Sequence, residues 1–206
     1  MKKYIYVISL VCLAIFMIAC SQHTTIDHVE INSMYQKDIA FRELDAKTDT
    51  VNLEAYDKVH RERIFELLAE NKIKTPKDKL RAALILQHTA AKSCDGNITS
   101  MSPENFLLAY KLSSTALTQL QIERDTLTIK KENIPRMIAL NYDRYLLFTF
   151  GHQKFGTQFV FDDKTNEMLL APIDTTLSND EERKKYNVDP LNILLKKFKI
   201  KPMPGL

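Results

Sequence analysis

The strongest constraint on the fold of this chain is a series of helix start and stop signals with apolar stripes between them. Thr75-Pro76-Lys77-Asp78 sets a hydroxyl cap, a first-turn proline and an early acid in order, which together open a helix. The helix that follows carries Leu80, Ala83, Leu84, Gln87 and Ala91 on one stripe. Residues 33–45 and 53–71 show the same spacing, the second through Val59, Ile64, Phe65, Leu67 and Leu68. Ser102-Pro103-Glu104 opens a further helix with Leu108, Ala109, Leu112, Ala116, Leu117 and Leu120 along its inner side. Its small residues Ala109, Ser113 and Ala116 permit close helix approach, as in packed helical hairpins. A polar stretch, 121–133, leads to a helix from Ile134 or Pro135 to Phe150, which Gly151 ends.

The period then changes. Residues 157–161 and 167–171 are short strand-like runs, and the turn formers of 162–166 join them as a β-hairpin closed by Pro172. Residues 178–186 and 190–199 return to helical spacing. Asn97–Ser102 reads as a loop, and Ser93-Cys94-Asp95-Gly96-Asn97 as a polar turn. The fold class expected is mainly α, packed helical hairpins with one small β-hairpin near the C-terminal third.

The N-terminal residues have their own logic. Lys2-Lys3, an apolar run from Tyr4 to Ile18 and the small Ala19 make the three parts of a secretory signal. Tyr4 to Ala19 is sixteen residues, about 24 Å as a helix against a hydrocarbon core of about 30 Å. Met17-Ile18-Ala19-Cys20 resembles the cleavage box of a bacterial lipoprotein signal peptide. That resemblance implies that Cys20 is acylated and holds the chain on the lipid bilayer. Ser21 follows the cysteine, so the resemblance points to the outer membrane, with the domain on its periplasmic or outer face. The expected organisation is a signal peptide at 1–19, a lipidated cysteine and tether at 20–32, and one mostly helical domain at 33–206.

Charge and cysteines narrow the function classes. The chain has 29 basic and 26 acidic residues, and loss of Lys2 and Lys3 leaves 27 against 26. No basic footprint for nucleic acid exists in such a balance. Near the end, Lys196, Lys197, Lys199 and Lys201 interleave with Leu194, Leu195, Phe198 and Ile200. A terminal helix with its apolar side docked and its lysines in water fits this pattern best, and a helix resting on an anionic membrane surface is the alternative. With Cys12 cleaved off and Cys20 acylated, Cys94 remains alone, so no internal disulfide or thiolate zinc site is expected. With only four glycines, the chain lacks P-loop and dinucleotide fingerprints, a G-x-S-x-G elbow and HExxH spacing. No cofactor and no metal are expected.

The polar residues open to chemistry lie between Gln87 and Gln158. Asn141, Asp143 and Arg144 interrupt the almost entirely apolar run 138–150, and Asp143 and Arg144, as helix neighbours about 100° apart, cannot pair well with each other. Gln153 and Gln158 flank Gly156, whose position calls for a positive φ or a close backbone approach. Gln87 sits on a buried stripe beside His88, and His152 precedes Gln153. Together, Gln87, His88, Asp143, Arg144, His152, Gln153 and Gln158 are the candidate pocket.

Several of these residues carry a second resemblance. The blocks Thr75-x-x-Asp78, Ala82-Ala83-x-Ile85-x-Gln87-His88, Asp143-Arg144-Tyr145-Leu146 and Gln153-Lys154-Phe155-Gly156-Thr157-Gln158 are similar to an uncharacterised bacterial domain family. So are Pro172-Ile173-Asp174 and Val188-Asp189-Pro190-Leu191. The resemblance spans roughly residues 50–200 and implies a domain without naming a reaction. Two classes of function remain. One is a lipid-anchored helical domain that holds an envelope protein partner; the other is a small enzyme or ligand binder built on the candidate pocket.

Overall fold

The structure is a computed structural model that describes residues 26–48, 53–89, 91–94, 97–100 and 102–201. Among these residues are eight helices and four short strands, so the chain is mainly α, as its periodicity predicts. The helices are α1 (Val29–Thr48), α2 (Leu53–Ala69), α3 (Pro76–Gln87), α4 (Glu104–Glu123), α5 (Thr126–Lys131), α6 (Ile134–Phe150), α7 (Asp180–Lys185) and α8 (Leu191–Lys197). No helix among the described residues is long and apolar enough to cross a membrane. The signal peptide, Cys20 and Ser21 lie outside the described residues.

α3 is the hub, and its sequence explains why. Thr75 accepts from the Asp78 N–H at 3.0 Å and donates its own N–H to the Asp78 carboxylate at 3.4 Å, a full capping box. Ala82 and Ala83 are fully buried, small enough for helices to approach on both sides. Ile31 and Met34 of α1, Ile64 and Leu67 of α2, and Ala109 and Leu112 of α4 close one core around Ile85 and Leu86. A second core joins Leu80 to Ala116 and Leu120 of α4 and to Ile134 and Ile138 of α6. Phe106 stacks on Phe148 at 5.3 Å and Tyr110 lies 4.7 Å from Tyr142, so α4 and α6 run antiparallel.

The expected β-hairpin is present as β3 (Phe159–Asp162) and β4 (Glu167–Leu170), antiparallel with Phe161 opposite Met168. The C-terminal segment widens it: the Leu170 N–H donates to the Lys199 carbonyl, and the Lys201 N–H to the Leu170 carbonyl, both at 2.8 Å. Phe198 packs on Phe159 at 4.7 Å and Leu194 is buried, so the lysine-rich end is docked on the domain. Its helix stops at Lys197, two residues earlier than the spacing predicts, and Ile200 forms an isolated parallel bridge with Leu170.

Four expectations change. Ala91, placed on a helix stripe by spacing, lies beyond the helix end at Gln87, and with residues 93–94 of the expected turn and 97–100 of the expected loop it belongs to a second antiparallel hairpin, β1 (Ala91–Cys94) and β2 (Asn97–Ser100). Asp95-Gly96 between them is a dipeptide favoured in two-residue hairpin turns. The polar stretch 121–133 is helical in part: Arg124 turns left-handed at φ 58°, and the Asp125 side chain caps α5 by accepting from the Thr128 N–H. Val59 and Phe65, placed on an inner stripe by spacing, are exposed, while Asp57 is buried on that stripe with Ile64. Finally, the tether does not run to residue 32. Ile31 is fully buried, Asp27 accepts from the Thr75 hydroxyl at 2.9 Å, and the His28 N–H donates to Asp78 at 2.9 Å. The described part of that segment is bound to the N-terminal end of α3, because its polar groups match partners there.

Candidate functional site

Two polar assemblies gather the candidate residues. The first surrounds the loop between α6 and β3. Asp143 is fully buried, and its carboxylate accepts four hydrogen bonds. One oxygen takes the N–H groups of Lys154 and Phe155 at 2.8 Å; the other takes the Thr157 N–H at 2.9 Å and the Thr157 hydroxyl at 2.8 Å. Burial pushes the Asp143 carboxyl above the ordinary carboxylate range, although these donors pull the other way. Gln153, also fully buried, donates to the Gln158 and Ala171 carbonyls at 2.9 Å and accepts from the Gln158 N–H at 2.8 Å. Gly156 between them has φ +83°, the left-handed conformation its position calls for.

Arg183 completes this assembly, and sequence reasoning missed it. It is fully buried, and its guanidinium donates to the Phe155 carbonyl and to the Lys154 carbonyl at 3.2 Å. Burial lowers its pKa, while the Asp143 charge opposes that shift. Within Asp180-Glu181-Glu182-Arg183-Lys184-Lys185 nothing marks this cation as the buried one.

The second assembly sits at the C-terminal end of α3, where helix carbonyls lack partners. Arg144 donates to the Gln87 carbonyl at 2.9 Å, Arg61 to the His88 carbonyl at 2.9 Å, and the Thr89 hydroxyl to the Leu86 carbonyl at 2.8 Å. Cations at this end also meet the negative pole of the helix dipole. Arg144 makes no ion pair among the described residues; it bonds the Gln158 side-chain oxygen at 3.1 Å and lies over the Phe106 ring at 5.9 Å. Its pKa is lowered by burial and by the nearby Arg42 charge. The helix end supplies the negative potential that a carboxylate would otherwise provide.

His88 takes part through its ring. Arg42 Nε stands 3.0 Å from His88 Nδ1, and Asp38 Oδ2 stands 3.1 Å from the same nitrogen. That nitrogen accepts from Arg42 when bare or donates to Asp38 when protonated, not both at once. Arg42 Nη2 also lies 2.5 Å from Asp57 and 3.3 Å from Asp38. Burial lifts Asp38, but its hydrogen bond to His88 and the His88 and Arg42 charges outweigh that and hold it below the ordinary range. Asp57 is pushed up by burial despite Arg42. Ligand atoms of Asp38, Asp57 and His88 lie within 4.8 Å of one another, a spacing that suits a metal ion. The Arg42 guanidinium already bridges the two carboxylates there. Asp38 and Arg42 are four residues apart on one helix, and that spacing is the signal open to sequence reasoning.

The seven candidates therefore divide rather than share one pocket. Asp143 and Gln153 serve the α6–β3 loop. Arg144 and Gln158 join that loop to the end of α3, where Gln87 contributes its backbone carbonyl. His88 belongs with Asp38, Arg42 and Asp57. His152 lies apart, its ring 6.4 Å from that of Phe150, with no hydrogen bond to the other six among the described residues. No family model, no curated protein and no solved structure matches the chain.

Proposed function

We propose that this chain is a cell-envelope lipoprotein, anchored through an acylated Cys20, whose helical domain holds a partner rather than transforming a substrate. One observation carries the reading: Asp143 and Gln153, the two fully buried side chains of the candidate pocket, are taken up by the fold. Asp143 has four donors and Gln153 three partners, all but one of them backbone groups. Phe161 and Met168, opposed across the β3–β4 hairpin and each about half exposed, are an apolar pair available to such a partner. The resemblance to an uncharacterised bacterial domain family belongs to the same proposal. Its most specific block, Gln153 to Gln158, coincides with the clamped loop, so the pattern has a folding task that needs no reaction.

Metabolic labelling with an alkyne fatty acid tests the anchor. The wild-type chain takes up label and fractionates with the outer membrane; Cys20→Ala does neither. Equal labelling of the two proteins would remove the lipoprotein reading. For the domain, loss of the cellular role on Phe161→Asp with unchanged melting is the expected result. Loss of that role on His88→Ala, again with unchanged melting, would favour catalysis at the α3 C-terminal end.

A further inference from the structure

A cleft of about 240 Å³ opens between α1, α3 and the α5–α6 junction, away from both polar assemblies. Its apolar lining is Leu80 and Leu84 of α3 and Met137 of α6. Three cations share the same walls, Lys77 and Arg81 from α3 and Lys131 from α5, against the single carboxylate of Glu132. At about 30 Å³ per liquid water the volume corresponds to roughly eight waters. That is room for a small molecule of similar heavy-atom count.

Arg81 is the group that gives the cleft its chemistry. Its side chain is only 11% exposed, and its guanidinium lies over the Tyr35 ring at 5.5 Å, which fixes its position. Its one ion pair among the described residues is long, 3.9 Å to Asp27. Asp27 is already occupied by Lys77 at 3.0 Å and by the Thr75 hydroxyl at 2.9 Å. Arg81 lines the cleft, and its guanidinium makes no hydrogen bond among the described residues, which leaves its planar fork of N–H donors without an acceptor among them. Lys131 likewise makes no ion pair or side-chain hydrogen bond among them.

We infer that this cleft binds a small amphipathic carboxylate, its anionic head on Arg81 and Lys131 and its apolar chain along Leu80, Leu84 and Met137. The two halves of the lining exclude the alternatives. A hydrated inorganic anion gains nothing from three apolar side chains, and an amine meets a lining in which Arg81 and Lys131 outnumber the one carboxylate of Glu132, Lys77 being paired with Asp27. A carboxylate matches the guanidinium fork with two parallel hydrogen bonds.

Calorimetric titration of the purified full-length chain in non-ionic detergent tests this, with heats into detergent alone subtracted. The probe is sodium hexanoate, and the comparators are sodium acetate, 1-hexanol and hexylammonium chloride. Saturable hexanoate binding is expected, with each comparator at least about tenfold weaker and Arg81→Met weaker by a similar factor, as loss of a charge-assisted pair implies. Lys131→Met, an exposed position whose change leaves the fold intact, should weaken hexanoate by about threefold. No saturable hexanoate heat, hexanol or hexylammonium binding as tightly as hexanoate, or affinity unchanged by both substitutions would each overturn the inference.

Discussion

Asp143 and Arg183 hold one loop by its two kinds of backbone group. The carboxylate takes the N–H groups of Lys154, Phe155 and Thr157, and the guanidinium gives to the carbonyls of Lys154 and Phe155. The two charges act on each other through the peptides they grip. Each meets the polar groups that burial would otherwise orphan.

Removal of either should therefore be costly. Asp143→Asn places an amide N–H₂ against backbone donors and should cost about 3 kcal/mol. Arg183→Met leaves two carbonyls without donors and should cost about 2 kcal/mol. Urea unfolding of both single variants and the double variant measures the coupling. The double variant should lose at least about 1 kcal/mol less than the sum of the two. Strict additivity would show that the two charges hold the loop independently.

Gly156 lies inside this grip with φ +83°. A Cβ there would stand 2.8 Å from Leu194 Cδ1 and 3.3 Å from Ile173 Cδ1. Gly156→Val adds left-handed strain for a β-branched residue to that overlap and should cost more than about 2 kcal/mol. Gly156→Ala in a Leu194→Ala background should recover the overlap but not the strain, so the two contributions separate by melting. An unchanged melting curve for Gly156→Val would contradict the tight loop.

Arg144→Met tests the end of α3. The substitution frees the Gln87 carbonyl and the Gln158 side-chain oxygen, and should lower stability by about 1–2 kcal/mol. Thermal melting reads this directly. A variant that melts like wild type yet loses the cellular role would place Arg144 in a binding site instead.

Features set by neighbouring residues are legible in the sequence. Local rules place Thr75 at a helix start, Gly151 at a helix end and Gly156 at a positive φ, and all three stand so in the fold. Side-chain direction on a helix also requires Asp143 and Arg144 to find separate partners, as they do. What escapes depends on residues far apart in the chain. Arg183 meets a loop 28 residues away, and Asp27 meets Thr75 across 48. No periodicity encodes such pairings. The β1–β2 hairpin escapes for another reason: Ala91–Cys94 and Asn97–Ser100 hold a single large aliphatic side chain, Ile98, whereas β3 and β4, equally short, carry Phe-Val-Phe and Met-Leu-Leu.

Acid should separate Asp38 from its neighbour Asp57. The folded value of Asp38 lies below the ordinary 3.8, so on acidification the unfolded chain takes up a proton first. Its stabilisation is whole above that value and is lost as the pH falls through the lower folded one. Asp57 lies above 3.8, so the stability linked to its protonated form is present below 3.8 and is lost as the pH rises through the folded value. Asp38→Asn should flatten the acid limb of urea midpoints taken from about pH 5 down to about pH 2.5. A limb as steep as wild type would assign the acid sensitivity elsewhere.

The attachment of Asp27 to Thr75 and Lys77 has a mechanical consequence. Seven residue steps separate Cys20 from Asp27, and fully stretched they reach at most about 25 Å. With a lipid on Cys20, as proposed, that leash is shorter than the width of a compact domain this size, about 40 Å from its radius of gyration. The domain could swivel above the bilayer but not turn over. The N-terminal end of α3 would stay near the headgroups, and the far end of that helix, about 18 Å along its axis, would be free to point away.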